Sequence, residues 1–165
     1  MLKSLLKGFG QSMAVVATIS VLTAGAAVAA DSPFKSLAGR WVGGGSIKFK
    51  TGEAEKINCR VTYFVSNGGN SVSQNIRCAS ATYKFDVRSS FNYSGGKVNG
   101  SWAELTNDAS GVLAGRANGS TINVAITGNK LNGSMSVSLN GASQSVNISP
   151  SNAAITRVSI NLKKG

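Results

Sequence analysis

The chain has 165 residues, with 17 Lys and Arg against 6 Asp and Glu, a formal net charge of +11 and no histidine. Without histidine, the chain has no Ser-His or Cys-His pair of nucleophile and base, and two cysteines alone do not make a structural zinc site. We therefore expect a protein that is not an enzyme and that holds no metal and no cofactor.

The first 30 residues have the pattern of a secretory signal peptide. A basic start precedes an uncharged, small and apolar run at 13–25, and Ala27-Val28-Ala29 supplies the small-x-small cleavage pattern. Cleavage is expected after Ala29 or Ala30. A membrane anchor is the alternative, and it is less favoured because the run is shorter than the ~20 residues that span a bilayer. We expect a bacterial protein that is periplasmic or secreted.

The remaining chain, residues 31–165, has the size of one domain and keeps 15 basic against 6 acidic residues. The basic residues stand mostly beside apolar ones, as expected for the solvent-facing side of strands. The alternative is attraction to an anionic partner, such as an anionic small ligand or an anionic membrane surface. No nucleic acid is expected, because no known nucleic-acid-binding motif is present and aromatic residues are not interleaved with the basic ones.

The segment around the two cysteines predicts a hairpin closed by a disulfide. Apolar residues alternate on both sides of an Asn-Gly-Gly-Asn turn at 67–70, which is strong turn chemistry. If the hairpin is centred on this turn, Cys59 falls directly opposite Cys78 on the same face. Opposed residues have Cα atoms about 4.5–5.5 Å apart, which a disulfide can span, and export supplies an oxidising compartment. We therefore predict a Cys59–Cys78 disulfide.

Segments with a period of two continue to the C-terminus, and turn signals such as Gly95-Gly96 and Asn140-Gly141 separate them every 10–12 residues. No helical segment of useful length follows the signal peptide. This pattern predicts an all-β fold, an antiparallel up-and-down meander of 8–10 strands that closes into a small barrel with one disulfide.

Glycine recurs two residues after an aliphatic residue on three of these segments, at Gly100, Gly115 and Gly133. Strand glycines mark bends or close backbone approach, so a belt of bends that closes the sheet is one interpretation. The other is chance recurrence in segments rich in Ser, Asn and Gly. All aromatic residues after the signal peptide lie within 34–105. The second half therefore either packs against the aromatic half or leaves an interior space.

Leu37, Gly39 and Trp41 resemble the Gly-x-Trp opening of calycin barrels, the superfamily of lipocalins and avidin-like proteins. The resemblance implies a barrel of about eight strands with one open end, while the tryptophan plugs the other end. It implies that an arginine of the last strand, here Arg157, lies across the tryptophan. One bacterial subgroup of these barrels inhibits secreted metalloproteases through a free N-terminal segment, which here would be Asp31–Phe34.

Four aromatic residues are the candidate ligand contacts: Trp41, Tyr63, Phe85 and Trp102. They would line a cavity inside the barrel, and plain core packing is the alternative for both tryptophans. Glu104 is expected opposite Val87, where it would point inward. A buried carboxylate there is a candidate general base, although a lone acid is more often salt-bridged.

The predicted function is an exported, non-enzymatic barrel that binds a small apolar, amphipathic or anionic ligand of unknown identity. The alternatives are an inhibitor of a secreted protease or another protein-binding module of the periplasm, and a structural protein associated with the outer membrane. The second half lacks an aromatic girdle, which argues against a membrane-spanning barrel.

Overall fold

The computed structural model describes residues 32–165, so the expected signal peptide and Asp31 lie outside the described residues. Ten antiparallel strands follow a short 3₁₀ helix, Pro33–Leu37. The strands are β1 Gly39–Phe49, β2 Ala54–Ser66, β3 Ser71–Ala79, β4 Lys84–Ser94, β5 Lys97–Glu104, β6 Ala109–Asn118, β7 Thr121–Gly128, β8 Gly133–Asn140, β9 Ser143–Pro150 and β10 Ile155–Lys164. Each strand pairs with its neighbours in sequence, and β1 pairs with β10. The prediction of an up-and-down meander that closes into a barrel is confirmed, with ten strands.

Successive turns alternate between the two ends of the barrel. The β2–β3, β4–β5, β6–β7 and β8–β9 turns lie at the end that also carries the 3₁₀ helix, which we name the closed end. The β1–β2, β3–β4, β5–β6, β7–β8 and β9–β10 turns lie at the other, which we name the open end. Within residues 32–165, no helix is long and apolar enough to cross a bilayer.

The 3₁₀ helix plugs the closed end with apolar side chains. Phe34 is fully buried and Leu37 nearly so. The Phe34 ring contacts the edges of Phe91 and Tyr93, with ring centroids 5.0 and 5.9 Å apart. The indole Nε1 of Trp41 donates a hydrogen bond of 2.7 Å to the carbonyl oxygen of Leu37. The plug that the Gly-x-Trp resemblance implies is therefore present, and it includes the segment just before the first strand.

The predicted hairpin register is confirmed. Cys59 pairs with Cys78 and Val61 pairs with Ile76 across β2 and β3, with a four-residue connection between Ser66 and Ser71. The two cysteines form the disulfide, and their Cα atoms lie 4.1 Å apart. The bond therefore joins two neighbouring strands and does not alter their order.

Glycines on the inner face lie against the backbone of a neighbouring strand. A Cβ atom at Gly100, Gly115 or Gly133 would overlap a backbone carbonyl oxygen of the adjacent strand. The same holds for Gly43 and Gly45 on β1, which the sequence analysis did not single out. Because no side chain fits at these positions, close backbone approach explains the glycines better than chance recurrence does, and the belt of bends stays a prediction.

The prediction that Arg157 lies across Trp41 is wrong. Arg157 pairs with Lys48 near the open end, whereas Trp41 pairs with Lys164. The Lys164 ammonium lies 5.8 Å from the centroid of the Trp41 ring. Because β10 runs antiparallel to β1, the residue opposite the start of β1 comes from the end of β10.

The N-terminal segment is not free, so that part of the protease-inhibitor prediction is wrong for Ser32–Phe34. Ser32 is buried, and its hydroxyl donates a hydrogen bond to the carbonyl oxygen of Gly69. Phe34 lies inside the closed end. Aromatic and aliphatic side chains here gain more from filling the barrel end than from solvent exposure.

Candidate functional site

We infer from the partial exposure of inward-facing side chains that the inside of the barrel holds space open to solvent. Every second residue of a strand points inward, and a closed barrel hides these side chains from the outside. Several inward apolar side chains in the middle of strands and toward the open end are nevertheless only partly buried. They are Ile76, Val87, Met135, Val146, Ile148 and Val158. We name the space that these six residues line the interior cavity.

Two grooves on the outer surface are separate from this cavity. They have volumes of about 720 and 370 Å³, and they flank the exposed side chain of Val42. Their surface is mostly apolar, although outward-facing polar and charged side chains such as Arg60 and Asn161 border it.

An aromatic stack forms part of the rim at the open end. The Phe49 and Tyr83 rings are 5.7 Å apart with an interplanar angle of 26°, and the Tyr83 and Phe85 rings are 6.0 Å apart at 5°. Phe49 ends β1, Tyr83 immediately precedes β4 and Phe85 lies at its start, so the stack spans β2 and β3. The structure therefore places Phe85, a predicted ligand contact, at the mouth of the barrel.

Trp102 lies on the inner face of β5 with its indole N–H unsatisfied. In the register it pairs with Ser89 on β4 and Gly111 on β6, and a Cβ atom at Gly128 would touch its ring. Trp102 is 8% exposed, and its Nε1 is buried with no hydrogen-bond partner among the described residues. Most buried donors in proteins are satisfied, so this N–H needs an acceptor that the described chain does not supply.

Two buried polar side chains continue the same row across the barrel wall. Gln74 on β3 pairs with Ser89, which pairs with Trp102. The Gln74 amide donates a hydrogen bond of 2.6 Å to the Ser89 hydroxyl. The sequence analysis missed both residues, although each is a polar interruption on an otherwise apolar inner face and could have been found on that basis. The row gives the middle of the apolar interior a polar patch.

Trp41 and Tyr63 lie together at the closed end, away from Phe85 and Trp102. Their rings meet edge to face with centroids 6.4 Å apart, and the Tyr63 hydroxyl shares a hydrogen bond of 3.2 Å with the Gln144 side chain on β9. Burial raises the pKa of Tyr63 to about 12, although the Gln144 hydrogen bond lowers it. The four predicted ligand contacts therefore form two pairs, and only one pair lies toward the open end.

Glu104 points inward at the open end, opposite Val87 as predicted. Its carboxylate accepts hydrogen bonds from the backbone N–H groups of Asp86, Thr106 and Asn107 and from the Asn107 side-chain amide. Burial acts to raise the pKa of Glu104, but these hydrogen bonds outweigh it and the net pKa is lowered. The carboxylate holds the β5–β6 turn, and a lowered pKa makes it a poor general base at neutral pH.

No protein-family model matches the sequence, and no curated protein matches it. The fold is similar to that of two solved structures. Rv2717c from M. tuberculosis superimposes with a TM-score of 0.61 at 13% identity, covering 79% of this chain and 93% of the other. The S-type phycobiliprotein lyase CPES from Guillardia theta superimposes with a TM-score of 0.57 at 9% identity, covering 80% and 90%. At these identities the likeness shows the fold alone, a closed antiparallel β-barrel.

Proposed function

We propose that the chain is an exported binding protein that takes a small, mainly apolar molecule into the interior cavity through the open end. The main supporting observation is that inward apolar side chains in the middle of strands, Met135 and Val146 among them, are partly exposed. Ligand sites in proteins are concave and mostly apolar, with a few polar groups that fix orientation. The row of Gln74, Ser89 and Trp102 supplies such groups.

Export is part of the proposal and is supported by the Cys59–Cys78 disulfide, which persists in oxidising compartments. A role in binding, without catalysis, is supported by the absence of histidine from the chain and by the hydrogen-bonded state of Glu104. One structure of similar fold is a phycobiliprotein lyase. That likeness concerns the fold alone, and a fold by itself does not decide between binding and catalysis.

The test is a fluorescence titration with N-phenylnaphthylamine, a neutral apolar probe whose emission rises in apolar surroundings. Val87→Phe places extra volume inside the barrel next to the row that contains Trp102. Val112→Phe makes the same change on the outer face of β6, where Val112 is 53% exposed. We expect saturable probe binding that Val87→Phe weakens at least tenfold and Val112→Phe leaves within twofold. Equal effects of the two variants, or emission that never saturates, would show that the probe binds elsewhere.

A further inference from the structure

Charged side chains are distributed unevenly between the two ends of the barrel. Within residues 32–165 every acid lies in the half nearer the open end: Glu53, Glu55, Asp86, Glu104 and Asp108. Exposed basic side chains surround the closed end: Lys35, Arg40, Lys97, Arg116, Lys163 and Lys164. We name these six residues the basic end face. No Asp or Glu side chain among residues 32–165 lies in that half, and Asp31 is outside the described residues.

The basic end face consists of two groups on opposite sides of the barrel. Lys97 and Arg116 come from β5 and β6, whereas the other four come from β1, β10 and the 3₁₀ helix. The strand order places β5 and β6 about half a circumference from β1 and β10. Strands spaced ~4.8 Å apart and tilted give a ring roughly 20 Å across. One small anion cannot contact both groups, but a flat anionic surface contacts them together.

The pair on β5 and β6 is unfavourable in the isolated barrel. Lys97 lies directly opposite Arg116 in the register, and like charges in this position destabilise a sheet. The ion pair formed within residues 32–165 is Arg77 with Asp86, in the other half of the molecule. An anionic partner at the closed end would remove the repulsion between Lys97 and Arg116.

An exposed aromatic side chain favours a lipid surface over a soluble polyanion. Phe64 points outward from β2 two residues before the closed-end turn, and it is 56% exposed. Peripheral proteins bind anionic membranes through the combination of basic residues and apolar side chains that enter the headgroup region. We propose that the basic end face docks the barrel on an anionic lipid surface, which leaves the open end facing solution.

The test uses cosedimentation of the protein, isolated from its host, with vesicles of phosphatidylglycerol in phosphatidylcholine. The variant Lys97→Ser with Arg116→Ser removes two charges from the basic end face. The matched control is Lys48→Ser with Arg157→Ser, because these exposed residues also face each other across two strands but lie at the open end. The two double variants have the same net charge, and neither removes a residue of the interior cavity.

We expect binding to anionic vesicles that falls with salt and is absent from pure phosphatidylcholine. Each basic residue at such a surface contributes about fivefold in affinity, so the closed-end variant, which lacks two, should bind roughly 30-fold more weakly. The open-end control should change less than threefold. Equal losses in both variants would show a net-charge effect and overturn the proposal. So would binding to dextran sulfate without binding to vesicles, which would indicate a soluble polyanion.

Discussion

The two buried tryptophans provide a direct test of the unsatisfied N–H inside the barrel. Trp41→Phe removes a donor that is hydrogen-bonded to Leu37 at 2.7 Å, and it leaves the carbonyl oxygen of a residue that is 2% exposed without that donor. Trp102→Phe removes a donor that has no partner within the described chain. Both substitutions delete the same ring atoms from side chains that are 0% and 8% exposed. The packing loss is therefore similar, and the difference between the variants reports on the hydrogen bond.

The magnitude follows from the cost of an unsatisfied buried polar group, about 1–3 kcal/mol. Trp41→Phe creates such a cost at the Leu37 carbonyl, whereas Trp102→Phe relieves one. We expect Trp41→Phe to lower the free energy of unfolding by about 2–6 kcal/mol more than Trp102→Phe does. Urea titration of the ligand-free protein, followed by circular dichroism, measures both values. Equal destabilisation would mean that Trp102 already has an acceptor, such as a buried water, and would remove the polar anchor from the proposed site.

Three further predictions concern stability. Replacing Cys59 and Cys78 together with serine should lower the free energy of unfolding by about 3 kcal/mol, because the disulfide closes a loop with a sequence separation of 19; an unchanged urea midpoint would contradict this. Since the pKa of Tyr63 is raised to about 12, its contribution is complete below pH 10 and is lost as the pH rises toward 12. Between pH 10 and 12 the free energy of unfolding of Tyr63→Phe should therefore fall less than that of the wild type, by up to about 3 kcal/mol. Parallel pH profiles of the two proteins would refute the burial argument. Since the pKa of Glu104 is lowered, its stabilisation is present above its ordinary value of 4.5 and is lost as the pH falls below it. The stability gap between the wild type and Glu104→Gln should then be constant near neutral pH and shrink under acid, as thermal unfolding at several pH values would show.

The strand order and the disulfide could be predicted from local patterns. The alternation around Cys59 and Cys78 fixes the register of one hairpin, because a shift of one strand by one residue would place the two thiols on opposite faces. The same alternation placed Glu104 opposite Val87. In each case the pairing partners are close in sequence, so a turn and a period of two are sufficient information.

Pairings between strands that are far apart in the sequence could not be predicted from turns and alternation. Whether Arg157 or Lys164 lies beside Trp41 depends on how β10 closes against β1, which no turn between those strands determines. The burial of Phe34 was missed for a related reason, since a short segment before the first strand shows no periodicity. The separation of Trp41 and Tyr63 from Phe85 and Trp102 follows from their heights along the barrel, which residue type does not encode.

The polar row of Gln74, Ser89 and Trp102 inside the barrel bears on function as well as on packing. Gln74 and Ser89 break the apolar alternation of β3 and β4, and the fold brings them beside Trp102. A core selected for stability alone would favour apolar residues at these positions. Retention of a polar patch next to solvent-accessible interior space is the physical reason to place ligand binding there.

The central claim, a cavity that holds a molecule inside the barrel, is tested most directly by native mass spectrometry of the protein isolated from its host. We predict a discrete additional mass that is lost on denaturation, is absent from Val87→Phe and is retained by Val112→Phe. A bare polypeptide mass in all three proteins, together with no saturable binding of N-phenylnaphthylamine, would contradict the account.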